Sequence, residues 1–77
     1  MSDAELERAI EMALNNQWDA SHRIVQEIDT ARASWVHAVL HKIEGDRENA
    51  AYWYQKAQLK FSEEEPHTEL RRILKTP

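Results

Sequence analysis

The chain has 77 residues, with 10 lysines and arginines against 14 aspartates and glutamates, and a formal net charge of −4. Without a basic stripe to neutralise phosphates, nucleic acid is an unfavourable partner. The absence of cysteine excludes disulfides and thiolate zinc sites, as is common in the reducing cytosol. Because no apolar run approaches the roughly 20 residues of a membrane span, and the N-terminus is acidic, we expect a cytoplasmic protein with no membrane partner.

One glycine and two prolines leave the chain few places to turn, so the composition favours helix throughout. A chain of this length forms one domain, whose core alone supplies only roughly 3–5 kcal/mol. Three tryptophans and two tyrosines can supplement that core, and self-association is the other source of stability. We therefore predict a single all-α domain over residues 1–77.

The first helical hairpin is predicted over residues 3–28. Ser2 and Glu5 fit a capping box, and apolar residues then recur at helical spacing to about Leu14. Asparagines 15 and 16 follow, and asparagine tolerates the left-handed conformation that ends a helix. The second helix, about 17–27, carries a seam that steps by three, four and three residues toward the first helix: Trp18, Ser21, Val25 and Ile28.

The second hairpin is predicted over residues 30–61, with Asp29 as the N-cap of its first helix. That helix has an apolar arc of roughly 140°, wider than a surface helix needs, so we expect it to be central. The arc consists of Trp35, Val36, Val39, Leu40 and Ile43. Gly45 should adopt a positive φ and Asp46 should cap the next helix, about 47–59, so the two helices are antiparallel neighbours.

The remaining segment is predicted to hold a short C-terminal helix over about 67–75. The run Glu63–Glu65 is interpreted as a solvated linker, and Pro66 ends any helix that enters it. Leu70 and Ile73 give the last helix an apolar side. We expect it to cap the preceding helix.

The segment Glu-Gly-Asp-Arg-Glu-Asn-Ala-Ala-Tyr-Trp-Tyr-Gln-Lys-Ala at 44–57 resembles the second helix of a tetratricopeptide repeat, and its Trp-Tyr-Gln-Lys-Ala part is similar to Sel1-like repeats. A shift of 29 residues sets Asn16 on Gly45 and Ser21 on Ala50, as an internal repeat would. The resemblance implies helical hairpins stacked in a minimal right-handed array with a capping helix, which serves as a protein-interaction scaffold. It implies no specific ligand.

A second resemblance covers most of the chain. The pattern Trp-Asp-Ala-Ser-His from Trp18, followed by Trp-Val-His-Ala-Val-Leu-His from Trp35 and then Glu-Gly-Asp, is similar to a group of small bacterial proteins. No activity is assigned to that group. The resemblance therefore implies no function.

His37, His41 and Glu44 follow one another at i, i+4 and i+7 and share a stripe of the third helix. Three interpretations stay open for them. They are hydrogen-bonded histidines at the edge of the core; with Tyr52 they form a partner-binding surface; or with His22 they bind a divalent metal. The resemblance favours the second, because the third helix would line the groove of the scaffold.

The sequence predicts no enzyme and no cofactor. No nucleophile elbow accompanies the serines, and no glycine-rich phosphate loop is present. The function that we expect is therefore a non-catalytic protein-interaction module, with metal or small-ligand binding through His22, His37, His41 and Glu44 as the alternative. Two repeats are fewer than the usual three, which favours a homodimer.

Overall fold

The computed structural model describes residues 3–76. In that range about 70% of the residues are helical and none lies in a strand, which confirms the all-α prediction. The helices of the described range are α1 Ala4–Leu14, α2 Trp18–Val25, α3 Ala31–Ile43, α4 Arg47–Lys56 and α5 Pro66–Lys75. None of them combines the length and the apolar character needed to cross a bilayer.

Helix α3 is the centre of the molecule, as its wide apolar arc predicts. It packs against each of the other four helices, while α1 packs mainly on α2. Buried positions run along most of its length: Ala33, Ser34, Val36, His37, Ala38, Val39, Leu40 and His41. One member of the predicted arc differs, because Ile43 in the last turn is 37% exposed. The buried positions include three polar residues of α3, Ser34, His37 and His41, which are therefore held inside the protein.

The core has two parts. The larger one joins the buried sides of α1, α2, α3 and α5. The smaller one lies between α3 and α4, where Ala38 and Ala50 are fully buried and let the two backbones approach closely around Tyr54. Trp35 packs against both parts, so the two clusters are continuous.

Three helices end in the same way, with one residue in the left-handed region. These residues are Asn16 at φ 64°, Gly45 at φ 85° and Gln58 at φ 62°. In each case the next amide donates to a carbonyl five residues back, at 2.8–2.9 Å, which is a Schellman motif. The predictions for Asn16 and Gly45 are confirmed. Gln58 gave no such signal, and it is why α4 ends at Lys56 and not near residue 59.

The N-caps agree with the sequence in one case and differ in another. Asp46 caps α4, accepting from the amide three residues on at 3.2 Å. The cap of α3 is Thr30 and not Asp29, because Thr30 has the extended backbone of an N-cap and its Oγ1 accepts from the Ala33 amide at 3.1 Å. Ser2, the predicted cap of the first helix, lies outside the described residues.

The acidic run Glu63–Glu65 lies between α4 and α5 with Glu63 and Glu65 exposed, as predicted for a solvated linker, and it also makes specific contacts. Glu65 is the N-cap of α5 and accepts from the Thr68 amide at 2.8 Å, with Pro66 in the first helical position that suits proline. The other two glutamates form ion pairs, Glu63 with Arg47 at 2.6 Å and Glu64 with Arg72 at 2.8 Å. The linker prediction is confirmed, and the fold adds a partner for each carboxylate that the sequence did not indicate.

Helix α5 was expected to cover α4, and it lies elsewhere. Its backbone packs against α3 and α1, and its buried Leu70 and Ile73 belong to the larger core. Arg32 on α3 fastens its end, donating to the Ile73 carbonyl at 2.8 Å and to Asp3 before α1 at 2.7 Å. The side chain of Glu69 reaches α4, where it accepts hydrogen bonds from the Tyr54 hydroxyl. The apolar side of α5 therefore closes the core beneath it.

Candidate metal centre

Three histidines meet between α2 and α3. His37 and His41 are one turn apart on α3, with ring centroids 5.0 Å apart, and His22 approaches both from α2. One ring nitrogen from each lies within 4.8 Å of the other two. The closest pair is His22 Nε2 and His37 Nε2, at 3.0 Å. The fold thus brings together three imidazoles, although His22 and His37 are 15 residues apart in the chain and His37 and His41 are 4 residues apart.

Two tryptophans wall the cluster. The Trp18 ring stacks on His22 at 4.7 Å between centroids, and its Nε1 donates to the Leu40 carbonyl at 2.6 Å. Trp53 of α4 stacks on His37 at 3.7 Å. As a result His37 is 5% exposed and His41 8%. The aromatic walls exclude water from two of the three imidazoles and hold their ring planes.

The surroundings favour the neutral forms of His37 and His22. Burial, followed by the nearby charges of His22, His41 and Lys56, lowers the pKa of His37 to about 4. Burial also lowers the pKa of His22, and His41 adds to that effect. Since a neutral imidazole carries a lone pair on one nitrogen, the cluster offers ligand atoms at neutral pH.

Glu44 takes a different place from its three predicted companions. It is the C-cap of α3, its side chain is 45% exposed, and its Oε1 accepts from His41 Nδ1 at 2.8 Å. It belongs to a second group of potential ligands with His41 and Asp46, within 4.8 Å of one another. The sequence analysis gave Asp46 only the role of a helix cap, although its place directly after Glu44 and Gly45 puts it close to these potential ligands.

The predicted partner-binding residues separate into two kinds. His37 and His41 are buried, whereas Glu44 and Tyr52 are exposed. Tyr52 is 54% exposed and borders a shallow depression of about 390 Å³ on α4. The remaining lining of that depression is Asp46, Glu48 and Asn49.

A second buried polar group went unnoticed in the sequence. Glu69 of α5 is fully buried and accepts hydrogen bonds from Lys42 Nζ at 2.6 Å, Trp35 Nε1 at 2.9 Å and the Tyr54 hydroxyl at 2.8 and 2.9 Å. Lys42 also donates to the carbonyls of Ser62 and Glu64, each at 2.7 Å. Because these bonds use all three ammonium protons and both carboxylate oxygens, the network is structural. In the sequence, its place next to the apolar Leu70 was the one indication that Glu69 could be buried.

Comparison of the chain with protein families, with curated proteins and with solved structures finds no match.

Proposed function

We propose that the protein binds one divalent transition-metal ion through His22, His37 and His41. The observation that carries this proposal is the convergence of the three ring nitrogens, with the closest pair 3.0 Å apart. Two nitrogens bound to one tetrahedral zinc ion at about 2.0–2.1 Å lie about 3.3 Å from each other. The pair from His22 and His37 is already near that separation, and a small shift of His41 completes the site.

The donor set selects the class of metal. Three imidazoles suit Zn²⁺, Ni²⁺ and Cu²⁺, whereas Mg²⁺ and Ca²⁺ require oxygen ligands. The Irving–Williams order predicts that Cu²⁺ binds most tightly of these ions. The function proposed is therefore metal binding without a chemical reaction on the protein. An ion held between α2 and α3 also ties the first helix pair to the second.

The fourth histidine of the chain supplies a matched control for a test. His67 lies at the start of α5, outside the cluster, and pairs with Glu65. In calorimetric titration with Zn²⁺ we expect one ion per chain, and His22→Ala and His37→Ala should each weaken it by more than the roughly 10–100-fold typical of groups behind the ligands. His67→Ala should leave the affinity unchanged. A chain that takes up no zinc, nickel or copper, or a His67→Ala variant as weak as His22→Ala, contradicts the proposal.

A second candidate function is protein interaction, the role implied by the resemblance to tetratricopeptide and Sel1-like repeats. We propose that α1–α2 and α3–α4 are stacked hairpins of that kind. Two observations support this: each pair is joined by a short turn with one left-handed residue, and α3 contacts both members of the other pair. The specific observation for an interaction surface is the exposure of Tyr52 beside an acidic depression.

The partner at this surface is a protein or peptide, including a second copy of the chain. Sedimentation of the purified protein over a range of concentrations tests the homodimer. We expect a dimer that Tyr52→Ser weakens, because tyrosine supplies rigid contact area at interfaces. A monomer at every concentration up to tens of micromolar counts against self-association.

A further inference from the structure

The side chain of Glu44 lies at one edge of the histidine cluster and contacts only one of its rings. The His41 ring donates from Nδ1 to Glu44 Oε1 at 2.8 Å. The ligand atoms that converge belong to His22, His37 and His41, and Glu44 is not part of this group. A donating Nδ1 leaves Nε2 as the nitrogen of His41 with a free lone pair.

We propose that Glu44 is a positioning residue of the metal site and not one of its ligands. It holds His41 in the tautomer protonated at Nδ1 and directs the Nε2 lone pair to the ion. The inference rests on the proposed metal-binding function, and it assigns a role that the sequence pattern alone attributes to a fourth ligand. A carboxylate behind a ligating histidine fixes the ring and raises the donor strength of its other nitrogen.

Helix geometry explains why the carboxylate of Glu44 lies away from His37, in a separate group of potential ligands. The two residues are seven positions apart, so they are about 10 Å apart along the axis at 1.5 Å per residue. Residues on one stripe project from the same side of the helix, but they lie at different positions along its axis. His41 lies between them and is within reach of both ends. A carboxylate at this position therefore accepts a hydrogen bond from the His41 nitrogen that does not bind the ion.

The second carboxylate grouped with His41, that of Asp46, is already engaged. Asp46 accepts from the backbone amide and from the side-chain Nδ2 of Asn49, each at 3.2 Å, and it caps α4 in doing so. The contact of Glu44 with His41 is shorter, and its other oxygen is free to face solvent from a side chain that is 45% exposed. Glu44 is thus the group that sets the His41 tautomer.

Three variants separate orientation from charge. Glu44→Gln keeps an oxygen that accepts from Nδ1 but removes the charge, and Glu44→Ala removes both. Glu11→Gln is the matched control, because it removes the same charge from an exposed residue on α1 that belongs to neither proposed site. With Zn²⁺ as the probe, we expect Glu44→Ala to bind about 10–100-fold more weakly than the wild type. Glu44→Gln should recover part of that loss, and Glu11→Gln should match the wild type.

The tautomer itself gives a readout that a merely structural role does not move. Two-bond proton–nitrogen correlation spectra of the ¹⁵N-histidine protein report which nitrogen of each ring carries the proton. In the zinc-bound wild type and in Glu44→Gln we expect His41 protonated at Nδ1 with the ion on Nε2. In Glu44→Ala we expect a mixture of the two tautomers. Circular dichroism of each variant confirms that the helices are retained.

Two results overturn this inference while leaving the metal site in place. One is a zinc-bound wild type in which the ion sits on His41 Nδ1, which makes Glu44 a neighbouring ligand or a bystander. The other is Glu44→Ala with wild-type affinity. A wild-type chain that takes up no zinc is a different outcome, since it overturns the proposed function on which the role of Glu44 depends.

Discussion

Single residues in the left-handed region end three of the five described helices, and they do so with different side chains. A side chain in this region brings Cβ close to the following carbonyl, at a cost of roughly 1–2 kcal/mol that glycine avoids. Of the three positions only Gly45 has the residue best suited to it. Asn16 is a residue that tolerates this conformation, whereas Gln58 is a point where the fold imposes a conformation that the residue does not prefer.

Gly45→Ala is expected to lower the free energy of unfolding by about 1 kcal/mol. The loss comes from the backbone alone, since a Cβ added to Gly45 would meet no atom within 4 Å. Gln58→Gly is the matched opposite, and we expect it to stabilise the protein by about 0.5–1 kcal/mol. Urea denaturation measures both. Equal stability of Gly45→Ala and the wild type would show that the turn adapts without strain.

At the scale of helices, α5 is attached to the body by one buried carboxylate as well as by its apolar side. Glu69 links it to Lys42 on α3 and to Tyr54 on α4. A buried charge is stable only while its partner is present, so the attachment is specific for one register of α5. The exposed pair of Arg47 and Glu63, with side chains 62% and 71% exposed, has no such requirement.

Glu69→Gln is expected to lower the free energy of unfolding by about 3–5 kcal/mol, because it leaves the Lys42 ammonium buried without its counter-charge. Glu63→Gln, the matched exposed substitution, should cost at most about 1 kcal/mol. Urea denaturation compares the two, and hydrogen exchange should show α5 amides released first in Glu69→Gln. Equal effects of the two substitutions would mean that the buried pair contributes no more than a surface pair.

For the molecule as a whole, the lowered pKa values of His37 and His22 make stability depend on pH. The pKa of His37 falls from 6.5 in the unfolded chain to about 4 in the folded protein, so the unfolded state binds more protons between these values. Stability is therefore complete above about pH 6.5 and is lost as the pH falls toward 4. His22 shifts in the same direction and adds to the loss.

In the presence of a chelator, we expect the urea midpoint of the wild type to fall between about pH 7 and pH 5. His37→Gln should make this slope shallower, and His67→Gln should leave it unchanged. The carboxylates with lowered pKa values, Glu63 and Glu65, stabilise the fold fully above their unfolded value of 4.5 and lose this contribution only as the pH falls below it, so they do not affect the slope in this range. A slope that is the same in His37→Gln and the wild type would contradict the assignment to His37.

The sequence by itself determined the helices, the turn at Gly45 and the centrality of α3, because periodicity, glycine and capping residues act within a few positions of one another. It also brought forward the histidines, since His37 and His41 are one turn apart. The meeting with His22, the depth of burial and the place of Glu44 came only from the tertiary structure. These depend on how α2 lies on α3 and on distance along the helix axis, which a shared stripe does not encode.

The same physical reason explains the elements that the sequence misplaced. In the sequence, Glu69 looks like a surface glutamate. Its burial depends on Lys42, Trp35 and Tyr54, which come from other helices and surround it. The position of α5 over α1 and α3 likewise depends on tertiary packing, because its Leu70 and Ile73 join the core that these helices share. Local sequence thus decided which segments are helical, and long-range packing decided which polar groups those helices enclose.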